Sequence, residues 1–316
     1  MRYSNPLISI GMPVYNGEQF LTEGLDSILA QTFQDFELII SDNCSTDKTE
    51  EICQTYAKKD NRIRYFRNDS NMGAAWNFNQ VFTLSHSKYF KWSPHDDVYA
   101  PTYLARCVEI LENASFSVVL CYPKTVLIDE NGKMIRYYDD RLDIRDAQPH
   151  KRLSHYYRNV RMCNPVVGLI RSAALNKTRL IDKFVGSDYI LLAELALLGE
   201  FWEIPEFLFF RRKHSQSSQE LNRTNRERAA WFDPINNVGF AVYPFSRRFI
   251  EHLKSIQISS LTVSEKVLCT SVFFWEWLIK KNRKKLRCEW KNALKDYLQF
   301  QKYTIFKKSI NKAVIY

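Results

Sequence analysis

Hydrophobic positions in the first half of the chain switch repeatedly between two periods. Leu7 to Val14 forms a strand-like run, after which Phe20, Leu21, Leu25, Ile28 and Leu29 recur at helical spacing. Phe36 to Ser41 predicts a second strand, and Ser45 or Thr46 a helix N-cap before Ile52, Cys53, Tyr56 and Ala57. Further strands are expected at Arg62 to Phe66, Tyr89 to Ser93, Val118 to Tyr122 and Thr125 to Ile128, and further helices at Ala74 to Leu84 and Thr102 to Leu111. This βαβα order predicts a parallel sheet covered by helices on both faces. Glu130-Asn131-Gly132-Lys133 reads as a hairpin turn.

The pattern lapses from about 134 to 165, a polar stretch rich in Arg, Tyr and Asp that reads as a substrate-facing loop. Helical spacing returns over 187–200, Ser215 to Arg228 reads as a loop or linker, and a helical extension follows. Its apolar run, Val272 to Ile279, is too short and interrupted to span a bilayer. A domain of residues 1–215 and a basic extension of 216–316 are therefore expected.

With 316 residues, 45% of them hydrophobic, the chain can bury a sizeable core, which excludes a disordered, collagenous or coiled-coil protein. Seven widely spaced Cys without a C-x-x-C pair argue against a zinc ribbon or disulfide scaffold and for a reducing compartment. The polar start, Met1 to Pro6, carries no secretory pattern, so a cytoplasmic location is expected. The net charge of +10 is local: from Lys280 onward there are twelve Lys/Arg against two Asp/Glu. Such a run suits a solvated helix face, an anionic membrane surface, an acidic partner or nucleic acid, the last without a recognised reader motif.

Open parallel sheets place their chemistry beyond the C-terminal ends of the strands. Those ends read Pro13-Val14-Tyr15-Asn16, Ser41-Asp42-Asn43-Cys44-Ser45-Thr46-Asp47 and Pro94-His95-Asp96-Asp97. Neither a dinucleotide glycine fingerprint nor a P-loop is present, and the crevice offers carboxylates in their place. These segments, with Asn71-Met72-Gly73, Gly186-Ser187-Asp188 and Arg211-Arg212-Lys213-His214, occur in an order that resembles glycosyltransferase family 2 and its type A nucleotide-sugar transferase fold. The resemblance spans residues 7 to about 215 and implies an α/β fold with a Rossmann-like, mixed but mostly parallel sheet and helices on both faces, followed by the helical C-terminal extension.

It implies that Pro13, Tyr15, Asn16, Asp42, Asn71, Gly73, Asp96 and Arg212 contact a nucleoside diphosphate sugar. Asp97 and His214 would hold a divalent cation, Mg²⁺ or Mn²⁺. Family members often carry an acid where Pro94 stands, so which of the adjacent acids takes the ion stays open, with diphosphate and water completing its shell. Asp47 reads as a helix-dipole cap. Asp188 matches the catalytic base, and Ser187 stands where the family often has a second acid; helix capping competes with the catalytic role.

The expected activity is metal-dependent, inverting sugar transfer to a hydroxyl of a glycan or lipid-linked acceptor, in polysaccharide or glycoconjugate synthesis. A basic, aromatic-flanked tail would hold such an enzyme on the inner face of the membrane. The alternatives are a non-catalytic sugar-nucleotide or glycan-binding protein of the same fold and a nucleotidyltransferase.

Overall fold

The computed structural model describes residues 6–234 and 243–295. The polar start before residue 6 and the basic positions beyond 295 lie outside the described residues. The strands are β1 (Ile8–Val14), β2 (Phe36–Asp42), β3 (Ile63–Arg67), β4 (Tyr89–Trp92), β5 (Val98–Tyr99), β6 (Val118–Ile128), β7 (Met134–Tyr138), β8 (Leu169–Arg171) and β9 (Glu200–Arg212). They form one sheet in the order β3-β2-β1-β4-β8-β6-β9-β5, with β7 paired to β6. β3, β2, β1 and β4 are parallel, as expected of βαβα order; β8 pairs antiparallel with both β4 and β6, and β6 runs parallel to β9.

The helices are α1 (Leu21–Leu29), α2 (Thr49–Lys59), α3 (Ala74–Thr83), α4 (Tyr103–Asn113), α5 (Pro149–Asn159), α6 (Ser172–Leu175), α7 (Ser187–Leu198), α8 (Ser218–Leu221), α9 (Asn225–Phe232), α10 (Pro244–Ile258) and α11 (Val263–Val272). Two apolar clusters sandwich the sheet. One is centred on Ile10, Met12, Leu25 and Leu38, the other on Phe90, Trp92, Leu191 and Leu195.

Local chemistry explains the departures from the expected elements. The two runs around Val118 and Ile128 are one strand, β6, whose register against β9 shifts at Pro123 and Lys124; a proline there lacks the N–H that a regular ladder needs. α2 starts at Thr49 rather than after Ser45 or Thr46, because Asp47 Oδ1 accepts the Thr49 N–H (3.0 Å) while Ser45 Oγ accepts that of Asn16 (2.9 Å). The unpatterned stretch contains β7, α5 and a 3₁₀ turn, Asn164–Val167. In α5, Leu153, Tyr156 and Tyr157 are buried, and so is Arg152, whose guanidinium donates to the carbonyls of Ala196 and Leu197 in the last turn of α7. The segment read as a linker includes α8 and a capped α9, in which Thr224 and Glu227 bond reciprocally.

The C-terminal helices share the second cluster through Ile256, Cys269, Phe273 and Trp277. A buried ionic network reinforces the contact: Arg179 bonds Glu194 of α7 (2.6 Å), Glu251 of α10, and Ser255 Oγ (2.7 Å). After α11 the helix widens to i→i+5 bonding over Phe273–Asn282, then continues to residue 295.

Candidate active site

β1 and β2 stay in register to Val14 opposite Asp42, and the loops beyond them interlock. Asn16 adopts a left-handed conformation (φ 50°), which Asn tolerates better than most residues. Its Oδ1 accepts the Thr46 N–H at 2.9 Å; the Gly17 N–H donates to Thr49 Oγ1 (2.8 Å) and that of Glu18 to Asp47 Oδ2 (3.0 Å). Burial would raise the Asp47 carboxyl, but hydrogen bonds from the Thr49 side chain and from the Glu18 and Thr49 N–H groups outweigh it and leave it below the ordinary value. A groove of about 560 Å³ beside this junction is lined by Asn16, Glu18, Asp47 and Gln216. Pro13 is buried in β1 opposite Ser41, and Tyr15, just past the strand, is exposed.

Asp42 is turned inward. Its Oδ1 accepts the Ser45 N–H (2.9 Å) and its Oδ2 the Tyr65 hydroxyl (2.8 Å), with the Arg67 guanidinium 3.8 Å away, so both oxygens are already engaged. Where the sequence reading has this carboxylate facing a nucleotide base, the geometry has it fastening β2 to β3 and to its own loop. Asn43 and Asn71 organise the next layer. Asn71 Oδ1 accepts from the Asn43 side chain (2.8 Å) and from the Gly73 N–H (2.9 Å), and Asn43 Oδ1 accepts the Met72 N–H (2.9 Å). Gly73 precedes α3 at φ 85°, and a Cβ there would lie 2.5 Å from Pro234 Cδ.

In the turn beyond β4 the adjacent aspartates point to different partners. Asp96 Oδ2 lies 2.9 Å from His214 Nε2, whereas Asp97 Oδ1 accepts the backbone N–H of Arg212 at 2.9 Å. His214 therefore meets Asp96, not the expected Asp97. Burial would raise the Asp96 carboxyl, but the His214 hydrogen bond and two neighbouring imidazoles outweigh it and leave it below the ordinary value. Burial and then the Asp96 charge push Asp97 up to about 8. The His95 ring packs where Gly17 has no side chain: a Cβ there would sit 2.6 Å from its Cδ2.

Arg211 and Arg212 project to opposite faces of β9. The buried Arg212 side chain is fully engaged by protein, donating to the carbonyls of Asp96 (3.0 Å) and Glu130 (3.1 Å) and pairing with Glu23, with its guanidinium over the Phe20 ring. It was expected at the nucleotide sugar and instead braces the loops around it. Arg211 donates to Asn164 Oδ1 (2.6 Å), and the Asn164 amide donates to Asp140 Oδ2 (3.0 Å). Asp140 is buried, its Oδ1 has no partner among the described residues, and burial pushes its carboxyl up to about 7.

Asp188 lies in the first turn of α7, preceded by Gly186 and Ser187. Burial raises its carboxyl, while the Cys163 thiol and the Tyr189 N–H hydrogen-bond it and the charges of Arg248 and Arg211 pull it back. Asn164, Asp140 and Cys163 fall in the polar stretch without periodicity, and sequence reading missed them. The one available signal was Asn164-Pro165, a turn-forming pair after a long polar run.

Carboxylate oxygens suit Mg²⁺ or Mn²⁺, and imidazole suits transition metals, so a carboxylate beside an imidazole favours Mn²⁺ of the two. The 2.9 Å between Asp96 Oδ2 and His214 Nε2 is close to the spacing of two neighbouring ligands on an octahedral ion with bonds of about 2.1 Å. No group of three or more His, Cys, Asp or Glu that could hold an ion occurs among the described residues.

The family model described as glycosyl transferase family 2 matches residues 9–184, more than half of the chain. An uncharacterized glycosyltransferase of Rickettsia bellii is 30% identical over 239 residues, which is 72% of this chain and 33% of the relative. One of Haemophilus influenzae is 25% identical over 276 residues, 83% of each. The chain spans only 21% to 45% of the length of the Rickettsia relatives. Among solved structures, S. aureus TarS 1–349 in complex with UDP-GlcNAc superposes with a TM-score of 0.64 at 18% identity, covering 92% of this chain and 80% of that one. The mannosyltransferase PcManGT of Pyrobaculum calidifontis gives 0.51 at 14% identity, covering 90% and 84%. These structural likenesses are of fold, and they agree with the family match: the chain belongs to glycosyl transferase family 2.

Proposed function

We propose that this chain transfers a sugar from a nucleoside diphosphate donor to a hydroxyl acceptor with inversion, in polysaccharide or glycoconjugate synthesis. One observation carries the reading: the end of β9 is bonded to both acidic centres. His214 and Arg212 hold the Asp96-Asp97 turn, and Arg211 holds Asn164, next to the Cys163 that bonds Asp188.

In this reading Asp188 takes the proton of the acceptor hydroxyl as its oxygen bonds to the anomeric carbon and the bond from that carbon to the diphosphate breaks. A single displacement of this kind inverts configuration. Burial makes Asp188 a stronger base than an exposed carboxylate, and the charges of Arg248 and Arg211 oppose that rise. Asp96 and His214, rather than Asp97, would hold the divalent cation. When bound, that cation neutralises charge growing on the leaving group. Asp97 keeps the turn fastened to β9. Tyr15, Asn16, Asn71 and Gly73 face the nucleotide from the interlocked loops and Pro13 shapes their base, while Asp42 and Arg212 brace the site.

TarS with UDP-GlcNAc and PcManGT with GDP-Man and Mn²⁺ support the donor class and the choice of ion. The acceptor is taken as a glycan or lipid-linked hydroxyl reached from the cytoplasm, at the inner face of the membrane. No helix among the described residues is long and apolar enough to cross a membrane.

A panel of nucleoside diphosphate sugars, followed by thermal shift and by nucleoside diphosphate release with Mg²⁺, Mn²⁺ or chelator, tests the reading. One donor should stabilise the protein and release should require the cation. Donor binding without release or transfer to any acceptor would favour a binding protein, and no binding by any donor would overturn the proposal.

A further inference from the structure

The helix that runs from α11 through its widened turns to residue 295 has two unlike faces. Phe273 and Trp277 stack on each other (5.2 Å) in the core, and Glu276 and Leu286 are buried with them. On the other side Val267, Leu268, Trp275, Ile279, Trp290 and Leu294 are each at least 46% exposed. Seven residues, about two turns, separate Leu268 from Trp275 and four, about one turn, separate Trp275 from Ile279, and Lys280 Nζ lies 5.6 Å over the Trp275 ring. An apolar stripe thus leads directly into a basic one.

The basic part is not neutralised from within. Residues 280–295 hold eight Lys/Arg and one acid, Glu289. Glu289 is engaged elsewhere, accepting the N–H groups of Phe245 (3.0 Å) and Ser246 (2.8 Å) at the start of α10. The nearby Glu276 pairs with Arg158 (2.7 Å) and Lys280 (3.1 Å). Among the described residues, Lys281, Arg283, Lys284, Lys285, Arg287 and Lys291 have no carboxylate partner within ion-pair distance.

We propose that this stripe is a docking surface for an anionic lipid bilayer, with Trp275 and Ile279 seated among the head groups and the exposed Arg283, Lys284, Arg287 and Lys291 against lipid phosphates. Charge complementarity and the apolar component together select this occupant. A nucleic acid would satisfy the cations but leave Val267, Leu268, Ile279 and Leu294 in water. A second copy would bring two basic stripes face to face. A bilayer accepts both halves, because tryptophan prefers the head-group level and each cation near an anionic leaflet adds attraction. The surface deepens the membrane-proximal reading of the acceptor, yet it uses no residue of the crevice, so the two can fail separately.

The test is cosedimentation of the full chain with phosphatidylcholine vesicles, with and without phosphatidylserine, alongside Trp275→Ser/Ile279→Ser and Lys284→Glu/Arg287→Glu variants. All four positions are exposed, so unchanged melting temperature and circular dichroism serve as the check on folding. Binding to anionic vesicles alone is expected, falling by about tenfold in each variant and weakening as added salt shortens the Debye length from about 10 Å to about 3 Å. Several results would overturn the docking surface: no binding to anionic vesicles, equal binding to neutral ones, or variants that bind like the parent. Displacement of the vesicles by a single-stranded oligonucleotide at equal charge concentration would reassign the stripe to nucleic acid. Dimerisation lost in the same variants, without vesicle binding, would assign it to a second copy. Donor binding measured in parallel reports on the crevice alone.

Discussion

Asp140 offers a direct test of how burial tunes the site. It is 3% exposed, with one oxygen on Asn164 and the other unpartnered. Burial, aided by the charges of Glu203 and Asp139, pushes its carboxyl up to about 7 against the pull of Asn164 and Arg211. An unfolded aspartate titrates near about 3.9. Between these values the folded chain holds more protons than the unfolded one, so Asp140's contribution is fully present below about pH 4 and lost as pH rises to about 7. Three units at 1.36 kcal/mol each set the loss at about 4 kcal/mol. Asp140→Asn removes the titration while keeping an oxygen for the Asn164 amide. Relative to the parent, the variant should therefore gain up to about 4 kcal/mol between about pH 4 and pH 8, an advantage of several degrees in melting temperature. Thermal melts of both proteins at constant ionic strength across that range measure it. Parallel stability profiles would refute the argument and show that Asp140 is ionised and accommodated at neutral pH.

Asp188→Asn should keep donor affinity and lose transfer by about two to four orders of magnitude, read by equilibrium titration and initial rates. Asp96→Asn and His214→Gln should each abolish cation-dependent donor binding while Asp97→Asn retains it, which a titration with and without Mn²⁺ separates; the reverse order would return the ion to Asp97. Arg211→Gln removes a charge that lowers the Asp188 carboxyl, so the acid limb of its kcat/KM profile should move to higher pH. Gly73→Ala should cost about 2 kcal/mol, seen in denaturant melts, because its φ of 85° strains an L side chain and the new Cβ meets Pro234 and Phe232.

Apart from the two-residue β5, the strands and helices up to Leu111 were legible: β1, β2 and β4 as short runs buried almost throughout, and the helices by buried positions at helical spacing. α5 was not, since its inward side consists of Leu153, two tyrosines and an arginine whose charge is satisfied by helix carbonyls, a pattern that composition reads as polar. At the site, the sequence located the loops and their acids but not the direction of individual side chains. Asp42 and Arg212 look like ligand contacts by type and position, and only the paths of β3 and of the β6–β7 turn reveal that their polar atoms are occupied. The division between Asp96 and Asp97 depends on where His214 arrives, more than a hundred residues later in the chain.

The ionic knot of Arg179 with Glu194 and Glu251 bears on how this chain can be re-engineered. Its members come from a loop before α7, from α7 and from α10, with Glu194 and Glu251 buried. A chimera joined near residue 215 that imported foreign C-terminal helices without an equivalent of Glu251 and Ser255 would leave a guanidinium half-paired in a low-dielectric setting, a loss of about 3–5 kcal/mol. Grafts meant to alter acceptor choice therefore have to carry the acidic and hydroxyl positions of α10 as a set, or replace Arg179 with an apolar residue in the same step.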